Sequence, residues 1–227
     1  LHAGGAIVFK KNDGGNTMSK LRILTATALV TALAVSVGYA QQQQPTQRLS
    51  GTIERVDGNT IFAKGRDGSA ITLKVPDNLV VTAVLKATVA DIKPGSYIGS
   101  GATPQADGSQ KAVEVHIFAE SMRGQGDGHR PGWYGTPNGT MTNGAVEPSG
   151  TVSTVGAGGE PSFVVKYKEG EKRIVVPANA HIVRYEVGSR SDVKAGAPFS
   201  ILAAAKQADG TFTAPRINVG KDGGAPF

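Results

Sequence analysis

Any chemistry in this chain has to start from its histidines, because cysteine is absent. Without it there is no disulfide, no thiolate metal site and no thiol nucleophile. His116 follows Glu114 by two residues, a spacing that puts both on one face of a strand, where an imidazole and a carboxylate could reach the same divalent ion. His129, two residues after Asp127, could complete that metal set. The competing reading makes these ordinary exposed polar residues, since no His-x-His or His-x3-His spacing and no carboxylate cluster accompanies them. Catalytic signatures are missing: there is no Gly-x-Ser-x-Gly elbow, no paired carboxylates flanked by aromatics and no strand-to-helix glycine loop. Gly124-Gln125-Gly126-Asp127-Gly128 looks like a phosphate cradle, but no helix follows to lend its amides. No enzymatic activity and no cofactor is expected. The run His129-Arg130-Pro131-Gly132-Trp133-Tyr134 contains the one Trp of the chain. It reads either as an aromatic binding loop or as a staple, with Trp133 tucked into a groove.

The elements that must hold these residues read as short strands. Ile71, Leu73 and Val75 alternate with polar residues, as do Val113, Val115 and Ile117 with Glu114 and His116, the pattern of half-buried strands. Asp57-Gly58, Asp67-Gly68 and Asp107-Gly108 supply hairpin turns. Strands are expected near 50–57, 59–65, 69–76, 96–103 and 110–118, with one or two helical turns within Ala87–Ile92. The second half repeats the first: Ser50-Gly51-Thr52 returns as Ser149-Gly150-Thr151, Val75-Pro76 as Val176-Pro177, and Gln105-Ala106-Asp107-Gly108 as Gln207-Ala208-Asp209-Gly210. A second set of strands is therefore expected near 149–156, 162–168, 172–177, 198–205 and 212–219, with a helical turn near Ser191–Lys194. The order β-β-β-α-β-β suits an OB-fold. The expected architecture is all-β: two tandem OB-like barrels, 48–118 and 149–220, from an internal duplication. They are joined by a Gly/Pro-rich linker at 119–148 and followed by a flexible tail at 221–227. Such barrels bind ligands across strands two and three, which points to Phe62, Lys64 and Arg66 in one copy and to Phe163, Lys166, Tyr167 and Lys168 in the other.

Residues 18–40 have a basic start at Lys20 and Arg22, an apolar run from Ile23 to Val37, and Gly38-Tyr39-Ala40 before a polar tract. That is the layout of a secretory signal peptide cut after Ala40. The run is short of the ~20 residues that a bilayer core needs, so no transmembrane segment is expected in the mature chain. Residues 1–17 precede Met18 and read as leader sequence from a misassigned start. The chain carries 24 Lys and Arg against 18 Asp and Glu. Removing residues 1–40 takes away four bases and one acid, so the net charge of +6 falls to 20 − 17 = +3. Nucleic-acid binding thereby loses its electrostatic support.

The runs Ala90-Asp91-Ile92-Lys93-Pro94-Gly95-Ser96-Tyr97-Ile98-Gly99, Val115-His116-Ile117-Phe118, Gly128-His129-Arg130-Pro131 and Thr140-Met141-Thr142-Asn143 resemble a family of small exported proteins of Gram-negative bacteria with tandem OB-like domains of unknown function. Some members carry a metal ABC transporter permease label. This sequence contradicts that label, because a permease needs several spanning helices. The resemblance implies a periplasmic location and brings no catalytic residues. The function expected from the sequence is a periplasmic, non-enzymatic binding or structural protein whose partner is an envelope protein or an anionic glycan. The alternative is a periplasmic metal-binding or metal-transport accessory protein using Glu114, His116 and His129.

Overall fold

Turn chemistry sets the spacing of the elements. Asp67, Asp107 and Asp209 each accept the backbone N–H of the residue two positions on at 3.0 Å, and its hydroxyl at 2.6 Å, from Ser69, Ser109 and Thr211 respectively. The glycine between adopts φ of +80° to +84°, a conformation that a side chain opposes. The structure, a computed structural model, describes residues 45–133, 138–147 and 159–227, with backbone alone at 153–154. The expected leader and signal segment lie outside these residues.

The chain is all-β. The strands are β1 (Thr46–Asp57), β2 (Thr60–Gly65), β3 (Ala70–Lys74), β4 (Val80–Lys86), β5 (Tyr97–Pro104), β6 (Gln110–Phe118), β7 (Gly128–Pro131) and β8 (Thr140–Val146). They continue as β9 (Ser153–Thr154), β10 (Pro161–Tyr167), β11 (Gly170–Val175), β12 (His181–Val187), β13 (Pro198–Lys206), β14 (Phe212–Thr213) and β15 (Arg216–Gly220). The two expected helical stretches are single 3-10 turns, Val89–Asp91 and Arg190–Asp192. In each the acid at the end accepts the N–H of the residue before the turn, Thr88 or Ser189. No helix among the described residues is long and apolar enough to cross a membrane.

Pairing runs β1-β2-β3-β14-β13, and β13 returns to β1, closing a five-stranded barrel. Its core holds Ile53, Ile61, Leu73, Phe199, Ile201 and Ile217. The strands β8-β10-β11-β6-β5 likewise return on themselves, through β5–β8, around Ile98, Val115, Val146, Phe163, Val165 and Ile174. Three strands bridge the two circuits in the order β13-β15-β4-β12-β6.

The expected contiguous units, 48–118 and 149–220, do not describe this pairing. The first circuit takes β13 and β14 from the far half of the chain, and the second takes β5 and β6 from the near half. The cause is two strands, β4 and β12, that lie in stretches expected to be connections. β4 and β12 pair antiparallel with each other, Val84 opposite Tyr185, and carry each half across to the other circuit. The expected linker is corrected as well: β8, inside 119–148, pairs with both β5 and β10 and buries Thr140, Thr142, Asn143 and Val146. The expected flexible tail is docked. Lys221 N–H donates to the Val84 carbonyl, His181 Nε2 lies 2.8 Å from the Ala225 carbonyl oxygen, and Arg66 donates to Pro226 O.

Candidate functional site

β6 is where the site begins. Its register against β5 slips between Gly101 and Ala102, so that Glu114 faces Gly101 while Ala112 faces Ala102. The bulge at Val113 resets the alternation. Ala112, Val115 and Ile117 enter the second core, and not the Val113 of the sequence reading. Glu114, His116 and Phe118 point to the opposite face, where they line a cavity of about 450 Å³ over the bridging strands.

The floor of this cavity is an aromatic and ionic cluster. Glu114 is 1% exposed, and its Oε1 is hydrogen-bonded to His116 Nε2. The His116 ring stacks on Tyr185 of β12 at 4.4 Å between centroids, and the Tyr185 hydroxyl lies 3.2 Å from the same Nε2. Phe118 meets Tyr185 edge-on at 5.5 Å. Burial, helped by the Glu114 charge, pushes the Tyr185 hydroxyl well above its usual ionisation range, with Arg48 pulling the other way. Thr82 of β4 and Asn218 of β15 continue the floor.

One wall comes from residues 125–133. Asn143 Nδ2 donates to the Gln125 carbonyl and Tyr97 OH donates to Asp127, while Asp127 also accepts the N–H of Lys168. These bonds tie the glycine-rich run down. Trp133 closes this wall: a Cβ on Gly101 would stand 2.3 Å from its ring, so glycine is what lets the indole lie against β5. The opposite wall is Ser200–Ala203 and Pro215–Arg216. Each wall carries an exposed arginine at its lip, Arg130 on one and Arg216 on the other. Arg48, whose guanidinium stands 5.6 Å from the Phe227 ring centre, lines the space between.

Of the residues singled out in the sequence, Glu114, His116, Arg130 and Trp133 come together here. His129 does not join the Glu114–His116 pair: its Nδ1 is 2.8 Å from Thr142 Oγ1, and burial, then Lys172, lowers its affinity for a proton. Among the described residues no group of three His, Asp or Glu could hold a metal ion. The residues expected on strands two and three are dispersed. Phe163 is core, Phe62 lies under the Arg55 guanidinium at 3.6 Å, Lys64 is exposed, Arg66 binds the tail, and Lys166 pairs with Glu147. Tyr167 flanks the His129 ring, Lys168 is exposed, and Tyr134 lies outside the described residues. Tyr185, Asn218, Arg48 and Arg216 were missed. The alternation of Val183, Tyr185 and Val187 with Arg184 and Glu186 was the available signal for Tyr185.

Compared with known proteins, the chain matches no family model, no curated protein and no solved structure.

Proposed function

We propose that this is an exported, non-enzymatic binding protein of the cell envelope, and that the cleft over the bridging strands holds a small amphipathic anion. The observation that carries this is a mostly apolar cleft, walled by Trp133, Phe118, Met122 and Leu202, with an arginine on each lip. Its volume of about 450 Å³ is in the range of small-molecule sites, which are apolar with a few placed polar groups. Apolar walls favour a ligand with a hydrocarbon body, and the arginines favour a carboxylate or phosphate at its outer end. A bare glycan would leave the apolar walls uncovered, and a folded protein partner does not enter so concave a site. The export reading is supported by the pattern of residues 18–40. Glu114 and His116 remain a two-donor set, which is thin support for a metal carrier.

The architecture behind the cleft is, in this reading, a duplicated OB-like unit whose halves exchange their last two strands. Both circuits follow the order one-two-three-five-four, with a parallel contact between strands three and five, β3–β14 in one and β11–β6 in the other. Gly51 opposite Phe199 corresponds to Gly144 opposite Ile98. Residues 143–145 are then the counterpart of 50–52, in place of the expected Ser149-Gly150-Thr151, which lie outside the described residues.

Isothermal titration with 2-naphthoate tests the ligand class. Saturable binding is expected, weaker by at least about tenfold with Arg130→Ala and Arg216→Ala together, as for lost hydrogen bonds to a charged group. Neutral 2-naphthamide should bind more weakly than the acid. An absence of saturable binding, or an affinity indifferent to both arginines, would defeat the proposal.

A further inference from the structure

The cleft has a polar end as well as a charged mouth, and resting on the reading above, we infer that its ligand is an amphipathic acid bearing a hydroxyl at the end remote from the acid. His116 reads that hydroxyl, and Glu114 is a positioning residue behind it.

The two ring nitrogens of His116 differ in what they are bonded to. Nε2 is committed, with Glu114 Oε1 hydrogen-bonded to it and the Tyr185 hydroxyl at 3.2 Å. A carboxylate only accepts, so Nε2 carries the hydrogen that points at Glu114. The Tyr185 oxygen can then only share that hydrogen as a second acceptor, which frees its own O–H to donate elsewhere. Burial keeps that O–H protonated. Nδ1 has no hydrogen-bond partner among the described residues, and the His116 side chain keeps 11% of its surface open on the cavity floor.

Fixing the tautomer through the far nitrogen is how a carboxylate sets what an imidazole offers its ligand. With Nε2 protonated, Nδ1 accepts when the ring is neutral and donates when it is cationic. A hydroxyl answers both states, because it donates and accepts. A carbonyl answers only the cationic ring, and a hydrocarbon end answers neither and leaves Nδ1 desolvated. Stacking on Tyr185 and the edge of Phe118 hold the ring plane, so the nitrogen cannot turn away to find water elsewhere. The two ends of the cleft therefore ask for different groups: an acid at Arg130 and Arg216, a hydroxyl at His116.

The test pairs 6-hydroxy-2-naphthoate with 2-naphthoate in calorimetric titration of the full protein. In the wild type the hydroxy acid should bind about tenfold more tightly, the cost of leaving one buried polar atom unpaired. His116→Phe keeps a ring against Tyr185 and should bring the ratio close to one. Glu114→Gln, whose amide can donate to Nε2 and so reverse the tautomer, should keep the hydroxy acid's preference, since a hydroxyl accepts as well as donates, and should strengthen 6-formyl-2-naphthoate, whose carbonyl only accepts, relative to 2-naphthoate. A variant that is merely less stable weakens both ligands together and leaves their ratio intact, so the ratio separates reading from folding. Equal affinities in the wild type, or a ratio that survives His116→Phe, would overturn the inference while leaving the cleft as a binding site. If neither acid binds, both readings fall.

Discussion

The two ends of the bridging sheet occupy matching places and differ in chemistry. At the β6 end Gly99 stands opposite His116, and at the β15 end Ser200 stands opposite Asn218. Asn218 donates to Ser200 Oγ at 3.4 Å, so the two side chains of that end meet each other. At the other end glycine leaves a gap that Asn143 and Phe118 fill: a Cβ on Gly99 would stand 2.7 Å from Asn143 Oδ1 and 3.1 Å from the Phe118 ring. One position further out, buried Glu114 matches exposed Arg216. Across the centre, Tyr185 faces Val84. On the proposed duplication, one scaffold used twice supplies two floors to a single cleft, and only one of them carries a buried acid and an imidazole.

The largest effect should come from the positions where the two halves agree. A Cβ on Gly51 would stand 2.0 Å from the Lys64 carbonyl oxygen, and one on Gly144 would stand 2.3 Å from that of Lys166. Neither neighbour is a side chain that can swing aside, so β1 must leave β2, or β8 leave β10. Gly51→Val and Gly144→Val should each cost more than about 3 kcal/mol, in the class of severe core changes, read as loss of a cooperative urea transition. Comparable losses sharpen the equivalence of the halves. If one is tolerated and the other is not, that equivalence breaks.

The next effect should come from positions where the halves disagree. Two residues beyond Gly99 and Ser200 stand Gly101 and Leu202. Gly101 is covered by Trp133, while Leu202 is 58% exposed. Trp133 is 7% exposed and also packs on the Phe227 ring at 4.8 Å. Trp133→Ala should therefore cost about 2–4 kcal/mol, near the lower range for large buried aromatics, and Leu202→Ala should stay within about 0.5 kcal/mol. Urea midpoints of the two variants decide it, and similar values would mean that Trp133 packs no better than an exposed leucine.

How far the sequence revealed this follows from what each signal encodes. The all-β class and the hairpins were legible, because Asp-Gly turns and alternation are local properties of the chain. The crossing of the halves was not. Leu79-Val80-Val81 and Ala83-Val84-Leu85 form a nearly continuous apolar run, the mark of a strand covered on both faces, and such a run lacks the alternation that announces a strand. β8 hid for the opposite reason. Thr140, Thr142 and Asn143 are polar yet buried, so composition alone read them as linker. For the site, Glu114 and His116 were picked out from their spacing, but their partner Tyr185 is 69 residues from His116 and is brought there only by the β4–β12 pairing. A periodicity that repeats within one strand carries no trace of that contact.

The smallest effect is a response to alkali, and it too should belong to one end. Tyr97 is buried and donates to Asp127, and burial first, then the Asp127 charge, pushes its hydroxyl up to about 12 from the usual 10. Tyr185 is raised by burial in the same sense. A folded value above the unfolded one means that the native state keeps its proton while the unfolded chain gives it up. The stabilisation is thus complete below pH 10 and is lost as pH rises from 10 to about 12. The matching places in the other half hold Pro198 and Val84, which do not ionise. Lys166 with Glu147 and Lys221 with Asp192, both raised by hydrogen bonds to their partner acids, also weaken as pH rises, so the decline in the wild type has several sources. The difference between wild type and Tyr97→Phe isolates one of them. The substitution removes the bond to Asp127 and lowers stability slightly at pH 8, and its urea midpoint should then fall less steeply between pH 10 and 11.5 than that of the wild type. Parallel slopes would show that the Tyr97 hydroxyl ionises as freely in the folded protein as in the unfolded chain, and that the wall it ties down is open to water.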